Sequence, residues 1–89
     1  MREYIVEYLG TLFFLYVILV TESPFAPLIY GAAFALSVFL GGAISGANYN
    51  PAVTVMMALC KKQSMDTIAP YIIAQIAAAF TVVEIHKRI

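Results

Sequence analysis

Charge is what this chain has least of. Five Lys and Arg, five Asp and Glu and one His stand among 89 residues, 11% charged in all. They sum to a formal net charge of zero with no basic cluster, so the electrostatic footprint of a nucleic-acid binder is missing and no nucleic-acid partner is expected. Cysteine is scarcer still. Cys60 stands alone, which excludes an internal disulfide, and no His/Cys grouping has metal-ligand spacing. His86 is isolated near the C-terminus and reads as a solvated or interfacial side chain. No nucleophile–base pairing and no phosphate-cradling loop occurs, so the sequence carries no signature of catalysis, of a metal or of a cofactor.

What is present is apolar surface. Hydrophobic residues make up 63% of the chain and mean hydropathy is +0.91. A soluble domain this small needs more polar surface to stay dispersed, so the expected solvent is lipid and the expected location is a membrane crossed several times. Three apolar stretches are long enough to cross, at about residues 4–20, 25–44 and 68–85. At ~1.5 Å rise per residue each gives about 26–30 Å of helix, close to the ~30 Å hydrocarbon core. The N-terminal stretch superficially matches a secretory signal. Glu7 interrupts it, however, and Thr21-Glu22-Ser23-Pro24 offers no small-x-small cleavage site, so it is read as a retained span. The short turn from Glu22 to Pro27 makes the first two spans antiparallel neighbours. Thr67 is the expected N-cap of the last span, with Pro70 in its first turn, where a missing N–H costs little. Tyr4, Tyr8 and Tyr71 near span ends read as interfacial anchors. Gly31 with Ala35, and Ala74 with Ala78, read as packing seams of small residues.

One segment does not fit this pattern. Asn50 to Cys60 is eleven residues, roughly 16 Å of helix and about half a bilayer, and Lys61-Lys62-Gln63-Ser64 must then lie at a polar surface. The sequence therefore predicts a re-entrant loop and half-helix over about residues 45–60. The alternative is a helix lying flat on the membrane, for which Val53, Val55, Met56, Met57, Ala58 and Leu59 leave no wide polar face. Pro51 disfavours the α region for the residue before it, making Asn50 a natural N-cap and Pro51 a natural first helical residue. As a cap, Asn50 accepts from backbone N–H groups near Val53, and its NH2 is left free to donate into a passage. The half-helix places about half a positive charge at the same point, which disfavours cations and protons. Backbone carbonyls from Gly46 to Tyr49 can supply a ladder of acceptors. Fixed donors at the end of an acceptor-lined path suit neutral hydrogen-bonding solutes.

The sequence Ser45-Gly46-Ala47-Asn48-Tyr49-Asn50-Pro51-Ala52-Val53-Thr54 closely resembles the first signature loop of the major intrinsic protein family, the aquaporins and aquaglyceroporins. The resemblance extends along nearly the whole chain. Glu7-Tyr8-Leu9-Gly10-Thr11 is similar to that family's E-x-x-G-T pattern. Tyr30-Gly31, twenty positions before Asn50, is similar to an aromatic-Gly pair of its second helix. Tyr71-Ile72-Ile73-Ala74-Gln75 resembles its third-helix Y-x-x-A-Q motif. The fold this implies is all-α: three transmembrane helices plus one re-entrant half-helix, with residues 1–89 forming a single half-repeat.

By that resemblance Asn50, Pro51 and Ala52 form the pore-lining signature, and Gly46, Ala47, Asn48 and Tyr49 supply the carbonyl ladder. Tyr30 falls where the family places an aromatic of its selectivity constriction. Glu7 and Gln75 become buried polar residues that hold the loop backbone. The residues alone leave other readings open, a headgroup-level carboxylate for Glu7 and a plain interhelix hydrogen bond for Gln75. Two departures stand out. Position 48 is Asn where the family most often has His. The family is also built from two inverted halves, of which residues 1–89 match the first, and the constriction Arg that follows the second Asn-Pro-Ala has no counterpart. The only arginines are Arg2 and Arg88, and Val53 follows Ala52.

A single half leaves the polar tip of its half-helix against lipid, so pairing with a second half in inverted orientation is expected. With the N-terminus inside, Arg2, Lys61 and Lys62 are set against Lys87 and Arg88 outside, a weak orientation bias. That favours an antiparallel homodimer, or a higher homo-oligomer, inserted both ways. The function implied is a passive channel for water or small neutral solutes. The alternative is a non-conducting, truncated subunit that associates with or modulates a full-length channel.

Overall fold

A computed structural model describes residues 1–89. Four α-helices run in the order α1 (Arg2–Val20), α2 (Ala26–Ser45), α3 (Pro51–Leu59) and α4 (Ile68–Arg88), with a 3₁₀ turn at Met65–Thr67 before the last. Three are long and apolar enough to cross a membrane. The molecule's longest dimension is 39 Å, near the ~40–45 Å of a bilayer with its headgroups. The nine-residue α3 covers only about 13 Å. The chain is an all-α, multi-pass integral membrane protein.

Local chemistry sets the helix ends. Pro27 lies in the first turn of α2, where a proline ring is pre-set for helix. Gly46 closes that helix in a left-handed conformation, φ +85°, its N–H returning to the Gly42 carbonyl. Pro51 opens α3 behind an extended Asn50. At the entry to α4 the capping differs from expectation. Thr67 makes no cap bond. Ser64 instead accepts from the Asp66 N–H, while the Thr67 hydroxyl donates to the Ser64 carbonyl. The C-terminal end of α4 runs to Arg88, three residues past the expected apolar stretch. Glu84 pairs there with Lys87 and Arg88 on an exposed last turn.

α1 packs against α2 on one side and α4 on the other, while α2 and α4 touch where the Tyr71 hydroxyl reaches the Ser45 carbonyl at the end of α2. α3 packs only on α4 and the 3₁₀ turn. The inner stripes follow helical spacing: Glu7 and Thr11 on α1; Ala33, Ser37, Gly41 and Ser45 on α2; Tyr71, Ala74, Gln75, Ala78 and Val82 on α4. This interior inverts that of a soluble protein. Seven of the sixteen buried residues are polar or charged, while Phe39, Leu28 and Phe80 are 83%, 73% and 72% exposed. Surface this apolar is stable against lipid, and the polar groups are gathered where they can bond one another. Ala74 and Ala78 are buried in the packing, but Gly31 and Ala35 face outward with no neighbour against Gly31. Tyr71 is not the interfacial anchor expected. It is 3% exposed, set edge-on to Tyr4, and donates its hydroxyl to the Ser45 carbonyl at 2.7 Å.

Candidate functional site

Between α2 and α3 the chain turns back into the bundle, and Ala47, Asn48 and Tyr49 are buried. Ala47 and Tyr49 adopt left-handed backbone, φ +51° and +57°. Each costs a non-glycine residue roughly 1–2 kcal/mol, so the surroundings must hold them there.

Glu7 is central to that hold. Its carboxylate is fully buried and receives four donors: on Oε2 the Ser45 hydroxyl at 2.7 Å and the Asn48 N–H at 3.0 Å, on Oε1 the Tyr49 N–H at 2.8 Å and the Gln75 Nε2 at 3.0 Å. Both carboxyl oxygens of Glu7 are thus each engaged by two groups of the loop and its supporting helices. Ser45 turns its oxygen to the Ala47 N–H as well, at 3.0 Å. Three successive loop N–H groups thus point into the protein. No hydrogen bond within the chain ends on the carbonyl oxygens of Gly46, Ala47, Asn48 or Tyr49.

Side chains fix the same loop from either side. The Asn48 amide donates to Thr54 Oγ1 in the first turn of α3 at 2.9 Å and to Gln63 Oε1 at 3.0 Å. Gln63 passes the chain on to Thr67. Gln75 Nε2 donates to Thr54 as well, at 2.9 Å, tying α4 to α3. The Tyr49 ring lies in a slot between α1 and α2 and its hydroxyl donates to the Ser37 carbonyl at 2.7 Å. The slot exists because Gly10 and Gly41 lack side chains: a Cβ on Gly10 would overlap the Tyr49 ring, and one on Gly41 the Tyr49 hydroxyl.

Asn50, at the mouth of this loop, caps α3 by accepting from the Ala52 N–H at 2.7 Å, one residue earlier than the Val53 expected. Its Nδ2 takes no partner within the chain, and the residue is exposed along with Ala52, while Pro51 is half-buried. Tyr30, half-buried on α2, reaches the Ile18 carbonyl at 3.4 Å and makes no contact with the loop network. Beside Asn50 and Pro51 a cleft of about 250 Å³ opens between α1 and α4, lined by Thr11, Phe14, Gln75 and Ile76 among others.

Sequence reasoning singled out Glu7, Gln75, Asn48, Tyr49 and Asn50, and the structure brings these together around one loop. It missed Ser45, Thr54 and Gln63 as bonded partners, and Thr11 as a cleft residue. Ser45 and Thr54 carry a usable signal, since each lies inside the loop motif that drew attention to its neighbours.

The family model for "Major intrinsic protein" matches residues 1–89. The glycerol uptake facilitator protein-like 6 of Lactiplantibacillus plantarum is 37% identical over 87 residues, covering 89% of this chain and 39% of that protein. The propanediol uptake facilitator PduF of Salmonella typhimurium is 43% identical over 53 residues, 60% of this chain and 20% of its own length. A probable glycerol uptake facilitator protein of Thermotoga maritima is 45% identical over 51 residues, 57% and 22% of the two chains. The matched part thus spans about two fifths of the first relative's length and about one fifth of the other two. No solved structure matches.

Proposed function

The chain belongs to the major intrinsic protein family, and on that premise we propose that residues 1–89 build one half of a passive transmembrane channel for water or small neutral solutes. A second half in inverted orientation, either another copy of this chain or a separate half-repeat, completes the pore. The relatives are named for glycerol and propanediol uptake, so small uncharged alcohols join water as the solute class.

One observation carries this reading. The loop N–H groups turn inward to Ser45 and Glu7, which leaves four successive carbonyls and the Asn50 amide nitrogen free at the tip of a half-length helix. Free acceptors leading to a fixed donor suit a neutral hydroxyl, and the positive end of the α3 dipole repels cations. In this reading Asn50, Pro51 and Ala52 line the pore, with Gly46, Ala47, Asn48 and Tyr49 contributing the carbonyl path. Tyr30 is the constriction candidate, and Glu7 and Gln75 support the loop. The family's constriction arginine has no counterpart in residues 1–89, so solute choice falls to the aromatic and to the second half.

Stopped-flow light scattering of proteoliposomes tests the proposal, with Asn50→Asp as the control. Asp keeps an oxygen for the Ala52 N–H but replaces the amide donor with a negative acceptor. Wild-type vesicles are expected to respond to water or glycerol gradients several-fold faster than empty ones, and Asn50→Asp vesicles no faster. A folded oligomer with no osmotic response would overturn conduction by this chain alone and leave the non-conducting subunit.

A further inference from the structure

The segment between α3 and α4 turns one side chain inward. Cys60, Lys61, Lys62, Ser64, Met65 and Asp66 are exposed, and Gln63 among them is half-buried. Its entry follows from a chain reversal at the end of α3. Lys61 takes left-handed backbone, φ +62°, and the N–H groups of Lys61 and Lys62 return to the carbonyls of Ala58 and Met57. Gln63 thereby reaches back past the half-helix to the loop that precedes it. Hydrogen-bond direction along this contact runs one way. The Ser64 carbonyl can only accept, so the Thr67 hydroxyl donates to it at 2.6 Å, and Thr67 Oγ1 is left to accept from Gln63 Nε2 at 2.7 Å. Gln63 is then turned with Oε1 toward Asn48, whose Nδ2 donates to it at 3.0 Å. Thr54 cannot fix that orientation by itself, because a hydroxyl bonds either end of an amide. Asn48 Oδ1 is buried without a partner.

We propose that Gln63 is a positioning residue for the conduction path, acting through Asn48 on the start of α3; this rests on the channel reading above. α3 packs only on α4 and the 3₁₀ turn, so polar ties decide where its tip lies. From one side Gln75 ties Thr54 to α4. From the other, Gln63 sets Asn48, which donates to Thr54 at 2.9 Å in the same first turn. Asn50, whose free Nδ2 is the donor at the tip, caps that turn. Asn48 also contributes one of the four free carbonyls. Without Gln63 the Asn48 amide has two nearly equivalent orientations against Thr54, and the tip and the carbonyl path lose a common reference. Gln63 is thus a handle, on an otherwise exposed segment, for a loop that Glu7 holds from inside the bundle.

The test uses the full chain in lipid nanodiscs, with the ¹⁵N-labelled side-chain amides of Asn48 and Asn50 as reporters, beside the osmotic response of proteoliposomes. Gln63→Leu is expected to speed solvent exchange of the Asn48 side-chain amide about fivefold, the effect of one neutral hydrogen bond. The Asn50 amide resonance should move and the osmotic response slow several-fold. The backbone N–H groups of Asn48 and Tyr49 should stay protected by Glu7, showing the fold intact. Gln63→Glu should behave as wild type, since one carboxylate oxygen accepts from Asn48 and the other from a Thr67 hydroxyl turned to it. In an Asn48→Ala background Gln63→Leu should have no further effect on Asn50 or on the rate. A Gln63→Leu chain whose Asn50 amide and rate match wild type would overturn the proposal. So would Gln63→Glu failing alongside Gln63→Leu, or an undiminished effect of Gln63→Leu in the absence of Asn48. Wild-type vesicles with no osmotic response would refute conduction, and the Asn50 resonance alone would then decide whether position 63 sets the tip.

Discussion

At the scale of single residues the decisive fact is that Glu7 accepts twice on each oxygen. Replacing it with Gln keeps the shape but turns one oxygen into a donor. If the new NH2 faces Ser45 and Asn48, the Ser45 hydroxyl can rotate to accept, but the Asn48 N–H is stranded. If it faces Tyr49 and Gln75, the Gln75 amide can flip, but the Tyr49 N–H is stranded. Either way one buried backbone donor loses its partner, at a cost of about 1–3 kcal/mol. Glu7→Gln is therefore expected to lower unfolding stability in detergent by that amount and to speed hydrogen exchange at Asn48 or Tyr49 by one to two orders of magnitude. Unchanged exchange at both would contradict the bonding of the loop to Glu7. Polarity inside an apolar span drew attention to Glu7 and Gln75 in the sequence, whereas Ser45 and Thr54 stayed hidden. The reason is that hydroxyls in membrane helices often bond their own preceding turn, as Ser37 does to Ala33 and Thr81 to Ala77. Residue type cannot separate these from hydroxyls that serve a loop.

At the scale of elements, run length alone distinguished three long helices from one short one, because a bilayer imposes a length on anything that crosses it. The lodging of Tyr49 between α1 and α2 was not legible, since it depends on a left-handed turn that brings the ring back against Gly10, thirty-nine positions earlier. In an ordinary helix interior Gly→Ala stabilises by about 1 kcal/mol. Here the three atoms nearest a Cβ on Gly10 all belong to Tyr49. Gly10→Ala is therefore expected to destabilise by about 1–3 kcal/mol through overpacking. In a Tyr49→Ala background the same change becomes neutral or stabilising. A double-mutant cycle by chemical unfolding measures the difference, and additive effects would show that the ring does not occupy the slot. The α3 cap is separable from this slot. Asn50→Ala should cost about 0.5–2 kcal/mol, and Asn50→Asp much less, because only Ala removes the oxygen that holds the Ala52 N–H.

At the scale of the whole molecule the open question is which way the chain sits. Orientation follows the excess of Lys and Arg on the cytoplasmic side, and acidic residues contribute little. Arg2, Lys61 and Lys62 flank one face of the bundle, and Lys87 and Arg88 the other. A margin of one positive charge is too small to commit every molecule, so a population inserted both ways can supply both halves of an inverted pair from one sequence. The margin can be tuned at positions outside the buried network. Ser64→Lys is unsuitable, because Ser64 caps the 3₁₀ turn. Met65 is exposed at the same face, so Met65→Lys raises the bias to four against two. Arg2→Ser with Lys61→Ser and Lys62→Ser lowers it to zero against two. A C-terminal tag should be cleaved by external protease in a substantial fraction of wild-type molecules, in nearly all molecules of one variant and in almost none of the other. If an antiparallel pair of copies is the conducting unit, each variant alone should lose osmotic permeability and co-expression of the two should restore it. Full permeability from a variant locked in one orientation would refute self-pairing and require the second half to come from a different polypeptide segment.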